Sequence, residues 1–201
     1  MISLLIIIIT AVISLVAFND REIFDKLKFN AFDIKHNKQA YRFFTHAFVH
    51  VDWMHLLVNM YVLYTFSDVV ITFFQYYFGY KAGYYFVLLY IGGIIFSSLF
   101  DFFKHKENVA YSAVGASGAV ASVVFASIIL HPGASIYFLF IPIGIPAAIF
   151  GLIYLIYSAY MAKRGNDNIG HNAHFWGSIF GIIYTIILNP EFITRFFHEI
   201  F

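Results

Sequence analysis

Ser117 lies in Gly115-Ala116-Ser117-Gly118 at the start of an apolar run, and His174 opens another apolar run far down the chain. A polar residue kept inside an apolar run is costly in a bilayer and generally has a task there. A serine hydroxyl is a weak nucleophile until a base stands within hydrogen-bonding reach. A His in that place would take the Ser117 proton as base and return it to a leaving amine as acid, which is acyl-transfer chemistry. The glycines serve the meeting of the two. Gly115 and Gly118 let backbone approach closely. Gly177 and Gly181 form G-x-x-x-G, a face for close helix packing, and His174 is three residues before Gly177 on that face. Taken singly, G-x-S-G also describes a small-residue packing patch, and a lone His is often bonded to a backbone carbonyl.

A third group of polar residues precedes these two. Tyr41-Arg42 is followed by His46, His50, His55 and Asn59. His55 and Asn59 are four apart at the start of an apolar run, so on a helix they share one face. Both can donate hydrogen bonds, which is what a developing oxyanion requires. The plainer reading makes Asn59 a helix-to-helix bond and His46 and His50 interfacial polar tips.

The elements that must position these groups follow from composition. Of the 201 residues, 61% are hydrophobic and 11% charged, against about 45–50% and about 25% in soluble domains. The chain therefore reads as an integral membrane protein. The absence of Cys excludes disulfides and thiolate chemistry, and a net charge of +1 argues against a nucleic-acid partner. Six runs reach the roughly 20 residues of a spanning helix: 2–18, 53–77, 84–103, 112–130, 136–160 and 171–188. The expectation is an all-α protein of six transmembrane helices, one domain over 1–201. The first run reads as a retained helix, since it lacks a positively charged n-region and a good cleavage site. Residues 19–50 form the one long connection, rich in aromatic residues and mixed charge, and are expected to lie partly in the membrane. The tail 190–201 is expected to be a short interfacial helix.

Over nearly its whole length the chain resembles the rhomboid intramembrane serine proteases. The matching pieces are Tyr41-Arg42, His50, His55-x-x-x-Asn59, Gly115-Ala116-Ser117-Gly118 and Ala173-His174-x-x-Gly177-x-x-x-Gly181. The resemblance implies a six-helix bundle with a Ser117–His174 catalytic dyad and no acidic third member. It implies an oxyanion hole of His55, Asn59 and backbone amides near Ala116 and Ser117. It implies structural or hydration roles for Arg42 and His50, and packing roles for Gly115, Gly118, Gly177 and Gly181. Neither a metal nor another cofactor is implied. Substrates would be transmembrane proteins cut in or near their spans, with the lipid bilayer as the working medium. The family pattern also implies a cell-membrane location with the site opening to the extracytoplasmic side. The positive-inside rule opposes that orientation, because ten of the twelve Lys/Arg fall on the side of residues 19–50. Two departures stand out. Ala121 occupies a position where the family often has a Tyr that stacks on the catalytic His, so another contact must orient His174. An acidic residue often found near the end of the second helix is missing, with Ile71 and Thr72 there and Asp68 one turn off. The rival readings are a His-rich membrane metalloenzyme or metal carrier, and an inactive rhomboid-like binding protein.

Overall fold

The computed structural model describes residues 2–138, 141–165 and 169–201. Helix α1 (Ile2–Asn19) leads into three short helices, α2 (Arg21–Leu27), α3 (Ala31–His36) and α4 (Arg42–Thr45), closed by a 3-10 turn at His46–Phe48. Then come α5 (Trp53–Phe78), α6 (Ala82–His105) and α7 (Ser117–Leu130). Strands β1 (Ser135–Phe138) and β2 (Ile141–Pro146) precede α8 (Ala147–Arg164), α9 (His171–Leu188) and α10 (Glu191–Ile200). Residues 139–140 of the expected fifth run and 166–168 of the connection before α9 lie outside the described residues.

Local chemistry sets several of these boundaries. Asp20 caps α2 by accepting from the amides of Glu22 and Ile23, Asn30 caps α3 through Asp33, and Asp52 caps α5 through His55. Each side chain satisfies amides that the first helical turn leaves open. The long connection 19–50 is thus folded into helices rather than left as an open loop.

By length and apolar composition, α1 is long enough to cross a membrane, as is the helical stretch Trp53–His105. In that stretch the turn Gly79–Lys81 separates α5 from α6. The bent pair α9 and α10, 111° apart, makes a third candidate. Helix α7 is shorter, 14 residues, and every residue from Gly118 to Leu130 is buried. It is apolar on all sides because it is surrounded on all sides.

Small residues make that centre possible. A Cβ on Gly177 would run into the backbone of Gly118, and one on Gly181 into the backbone of Ser122. The two contacts are four residues apart on both helices and in the same order, so α7 and α9 run parallel. Helix α6 joins the same close packing, since Gly118 faces Ser97 of α6 and Gly93 of α6 faces Ser122.

Two expectations need correction. The protein is mostly helical but not all-α: β1 and β2 form an antiparallel hairpin, with Ser135 opposite Pro146 and Ile136 opposite Ile145. The fifth apolar run accordingly becomes a helix only from Ala147. Pro142, Gly144 and Pro146 weaken a helix over that stretch, and β-branched Ile favours a strand. The hairpin then starts α8, since the amides of Ala147 and Ala148 donate to the carbonyls of Ala134 and Pro132 at 2.8 and 3.0 Å. The fourth run likewise becomes helical only at Ser117 rather than at 112.

Candidate active site

The delayed start of α7 is a property of Gly115. Its φ of 111° suits glycine, and a Cβ there would lie 2.6 Å from Cε1 of the His55 ring. The His55 imidazole therefore rests directly on the turn that delivers Ser117. Ser117 is the first residue of α7, and the first helical bond there runs from the Val120 amide to the Ala116 carbonyl. The amides of Ser117 and Gly118 precede that bond and belong to the open donors of a helix N-terminus.

His174 reaches the same level through the α7–α9 seam. A Cβ on Gly118 would lie 3.3 Å from the Ala173 carbonyl oxygen. The backbone beside the serine thus touches the backbone beside the histidine. Both Ser117 and His174 are half-buried, so they border space rather than the packed core. The Tyr154 ring of α8 stacks on the His174 ring, with centroids 6.3 Å apart and planes at 27°. His171 meets His174 edge-on at 6.0 Å.

The first connection braces this region at several points. Phe29 and Ala113 exchange backbone hydrogen bonds of 2.9 and 3.1 Å, and the Gly115 amide donates to the His46 carbonyl at 2.9 Å. Arg42 is buried and knits the connection to itself. Its Nη1 donates to the carbonyls of Asp25 (2.8 Å) and Lys28 (2.7 Å), and its Nε to Gln39 (2.5 Å). Its Nη2 is 3.6 Å from the Asp33 carboxylate. Lys35 and His36 of α3 pair with Glu107 in the connection between α6 and α7.

His50 has a defined tautomer. Ser14 Oγ donates to the Phe48 carbonyl at 2.8 Å, so it can only accept from His50 Nδ1 at 2.9 Å. That leaves Nε2 as the acceptor for the Ala116 amide at 3.4 Å. Burial, reinforced by the nearby His55, pushes the His50 pKa down to about 3. His46 is buried too, its Nδ1 3.0 Å from the Arg42 carbonyl, and burial pushes its pKa down to about 4. Both histidines are neutral parts of the scaffold. The Ala116 amide, expected from the family pattern to face an oxyanion, points in this structure at His50. Asn59 is buried one turn beyond His55, its Nδ2 donating to the His55 carbonyl at 2.8 Å. His55 Nδ1 is buried without a hydrogen-bond partner.

Ser117, His174, His55, Asn59, Ala116 and His50 thus gather at one end of α7. Arg42 stands behind them, and Gly115, Gly118, Gly177 and Gly181 make the close approaches. Sequence reasoning missed Asp101 of α6. It is buried, accepts from Tyr111 Oη at 2.8 Å and from Asn172 Nδ2 at 3.2 Å, and so links the turn before Ser117 to the turn before His174. An acidic residue inside the run 84–103 was the available signal. Ser14 and Tyr154 were missed as well. Among the described residues, no group of three or more His, Cys, Asp or Glu is placed to hold a metal ion.

Residues 37–191 match the rhomboid domain family. The chain belongs to the rhomboid family. Among its relatives, the mitochondrial RHOMBOID-like protein 12 of Arabidopsis thaliana is 31% identical over 150 residues, which cover 67% of this chain and 42% of that one. The mitochondrial Presenilin-associated rhomboid-like protein A of Danio rerio is 28% identical over 165 residues, covering 77% of this chain and 40% of that one. This rhomboid chain therefore spans about two fifths of the length of these relatives. Helices α4 to α9 and the hairpin fall inside the matched domain, whereas α1 to α3 and all of α10 after Glu191 lie outside it.

Proposed function

We propose that this rhomboid protein is an intramembrane serine endopeptidase that hydrolyses peptide bonds in or near transmembrane segments of other membrane proteins. The observation that carries the reading is the contact of Gly118 with Ala173 and Gly177, which brings Ser117 and His174 to one level of two parallel helices. His174 acts as base toward the Ser117 hydroxyl and then as acid toward the leaving amine. No third carboxylate is required: an ionised group at depth carries a desolvation cost that only close pairing offsets. His55, Asn59 and the open amides at the start of α7 stabilise the oxyanion. The Ala116 amide joins them only if it turns away from His50.

Six helices, α1, α5, α6, α7, α8 and α9, make the spanning bundle in this reading. At 1.5 Å per residue α7 is about 21 Å long, shorter than a hydrocarbon core of about 30 Å. A nucleophile on its first residue lies below the membrane surface, with water reaching it from the side of the first connection. Substrate helices must unwind to present a carbonyl there, which favours small or helix-weakening residues near the cut. Both relatives are mitochondrial by name, which removes the reason for preferring the cell membrane expected from the sequence.

The test is cleavage of a single-span substrate in proteoliposomes, with fluorophosphonate labelling alongside. Ser117→Ala and His174→Ala abolish cleavage while leaving the purified protein folded, and Ser117→Ala abolishes labelling. Undiminished cleavage by Ser117→Ala would sink the reading.

A further inference from the structure

The base of a Ser–His pair has to hold its ring plane, because a rotated imidazole no longer aims a nitrogen at the hydroxyl. On α7, Ser117, Ala121 and Phe125 follow one another at successive turns on one face. Ala121 is buried and offers only a methyl group. The ring that reaches this stripe comes from another element. Tyr154 of α8 has its centroid 5.8 Å from the Phe125 ring and 6.3 Å from the His174 ring. It therefore touches both the last ring of that stripe and the imidazole. The 27° angle with His174 makes that contact an offset stack, within the separation at which aromatic pairs attract. Phe150, one turn earlier on α8, packs on Tyr154 at 5.7 Å. His171 also meets His174, edge-on, and is itself touched by Tyr157 of α8 at 5.5 Å.

We infer that Tyr154 is the positioning residue for the His174 base: its ring face fixes the imidazole plane, and its hydroxyl is dispensable. The inference rests on the Ser117–His174 reading. It adds that the orientation of the base is set by α8, an element that carries neither dyad residue.

The experiment uses the full chain in proteoliposomes, with Tyr154→Phe and Tyr154→Leu compared with wild type. Leu fills similar space without a ring face. Tyr154→Leu is expected to lower kcat and the rate of fluorophosphonate labelling of Ser117 about ten-fold, the upper range of an aromatic-pair contribution, with KM little changed. Tyr154→Phe is expected to stay within about two-fold of wild type in both. The ring-current shift of the His174 imidazole in NMR, read on labelled protein, is expected to survive in Tyr154→Phe and vanish in Tyr154→Leu. Wild-type kcat and labelling in Tyr154→Leu would overturn the inference, and so would a Tyr154→Phe variant as impaired as Tyr154→Leu. If wild type and Ser117→Ala are labelled alike, the dyad reading fails and the inference with it, a result distinct from either.

Discussion

Helices α7 and α8 are both apolar, yet they meet the rest of the molecule in opposite ways. Helix α7 is buried over its whole length after Ser117, and its neighbours touch its backbone at Gly118 and Ser122. Helix α8 exposes Ile149, Leu152, Ile153, Ile156, Tyr157 and Tyr160, and it meets the bundle along one face only, through buried Ala147, Gly151 and Ser158 and the ring of Tyr154. The difference lies in how small residues are distributed rather than in hydropathy. Every residue of α7 after Ser117 is buried, and Gly, Ala and Ser recur there, whereas on α8 the small residues are confined to one buried face and large aliphatic and aromatic side chains cover the rest. Ser117 sits on the helix enclosed on all sides, and Tyr154, which stacks on His174, on the helix enclosed on one.

The largest expected effect breaks the close side of that contrast. A Cβ on Gly177 meets the Gly118 backbone, which cannot rotate away. Gly177→Leu should destabilise the fold by about 3 kcal/mol or more and abolish cleavage. On α8, a Cβ at Gly151 would meet only the side chains of Ile128 and Phe125, at 3.1 and 3.4 Å. Gly151→Ala should be neutral or stabilising by up to about 1 kcal/mol, the helix preference of Ala over Gly. Melting followed by circular dichroism in detergent checks both. Equal destabilisation by the two would mean that the seam is no tighter than the α8 contact.

Next in size are the groups laid over the start of α7. Asn59→Ala and His55→Ala should each lower kcat by about 10²–10³, with smaller changes in KM. His55 covers the Gly115 turn, so its removal should also soften that turn, whereas Asn59→Ala should leave melting almost unchanged. Normal turnover with weakened substrate binding in both variants would assign these residues to docking instead.

How much of this was legible beforehand depends on the kind of interaction. The apolar runs place the helices well, since length and hydropathy are carried by neighbouring residues. The hairpin was not legible, because Ile-rich and Phe-rich stretches read alike as buried strand or helix. Ser117, His174, His55 and Asn59 stood out because they are polar groups in unlikely places, and the roles given to them remain a proposal. His50 was visible as a residue, but its bond to Ser14 joins positions 36 apart in sequence, and no spacing announces it. Tyr154 is one of 15 Tyr. Its importance comes only from what α8 is placed beside.

A third effect is a pH dependence from the neutral histidines that brace α7. His50 and His46 are held at about 3 and about 4, against an ordinary 6.5. As pH falls through about 6.5 the unfolded chain takes up protons that the folded chain refuses. Stability is therefore fully present above that pH and declines toward the folded values. For His50 alone the loss between pH 7 and pH 5 is about 2 kcal/mol, at roughly 1.4 kcal/mol per unit below 6.5. His50→Gln keeps an acceptor for the Ala116 amide but does not titrate. Its melting temperature should fall less than that of wild type over this range. Parallel curves for the two proteins would mean that His50 does not carry the dependence.

The smallest expected effect probes the outer face of α8. Leu152 and Ile156 are each 61% exposed. In a bilayer their neighbours are acyl chains, which resemble Leu in polarity, so truncation leaves no cavity inside the protein and exposes no polar group. Leu152→Ala and Ile156→Ala should each change stability by less than about 0.5 kcal/mol and leave kcat unchanged. The matching change on α7 runs the other way. Ala126 is fully buried, so Ala126→Leu adds three carbons where none fit and should cost about 1–3 kcal/mol. Together the variants ask whether α8 has a protein neighbour on its outer side. A Leu152→Ala loss comparable to that of Ala126→Leu, appearing only at high protein density in the membrane, would show that this face packs against a second chain rather than lipid.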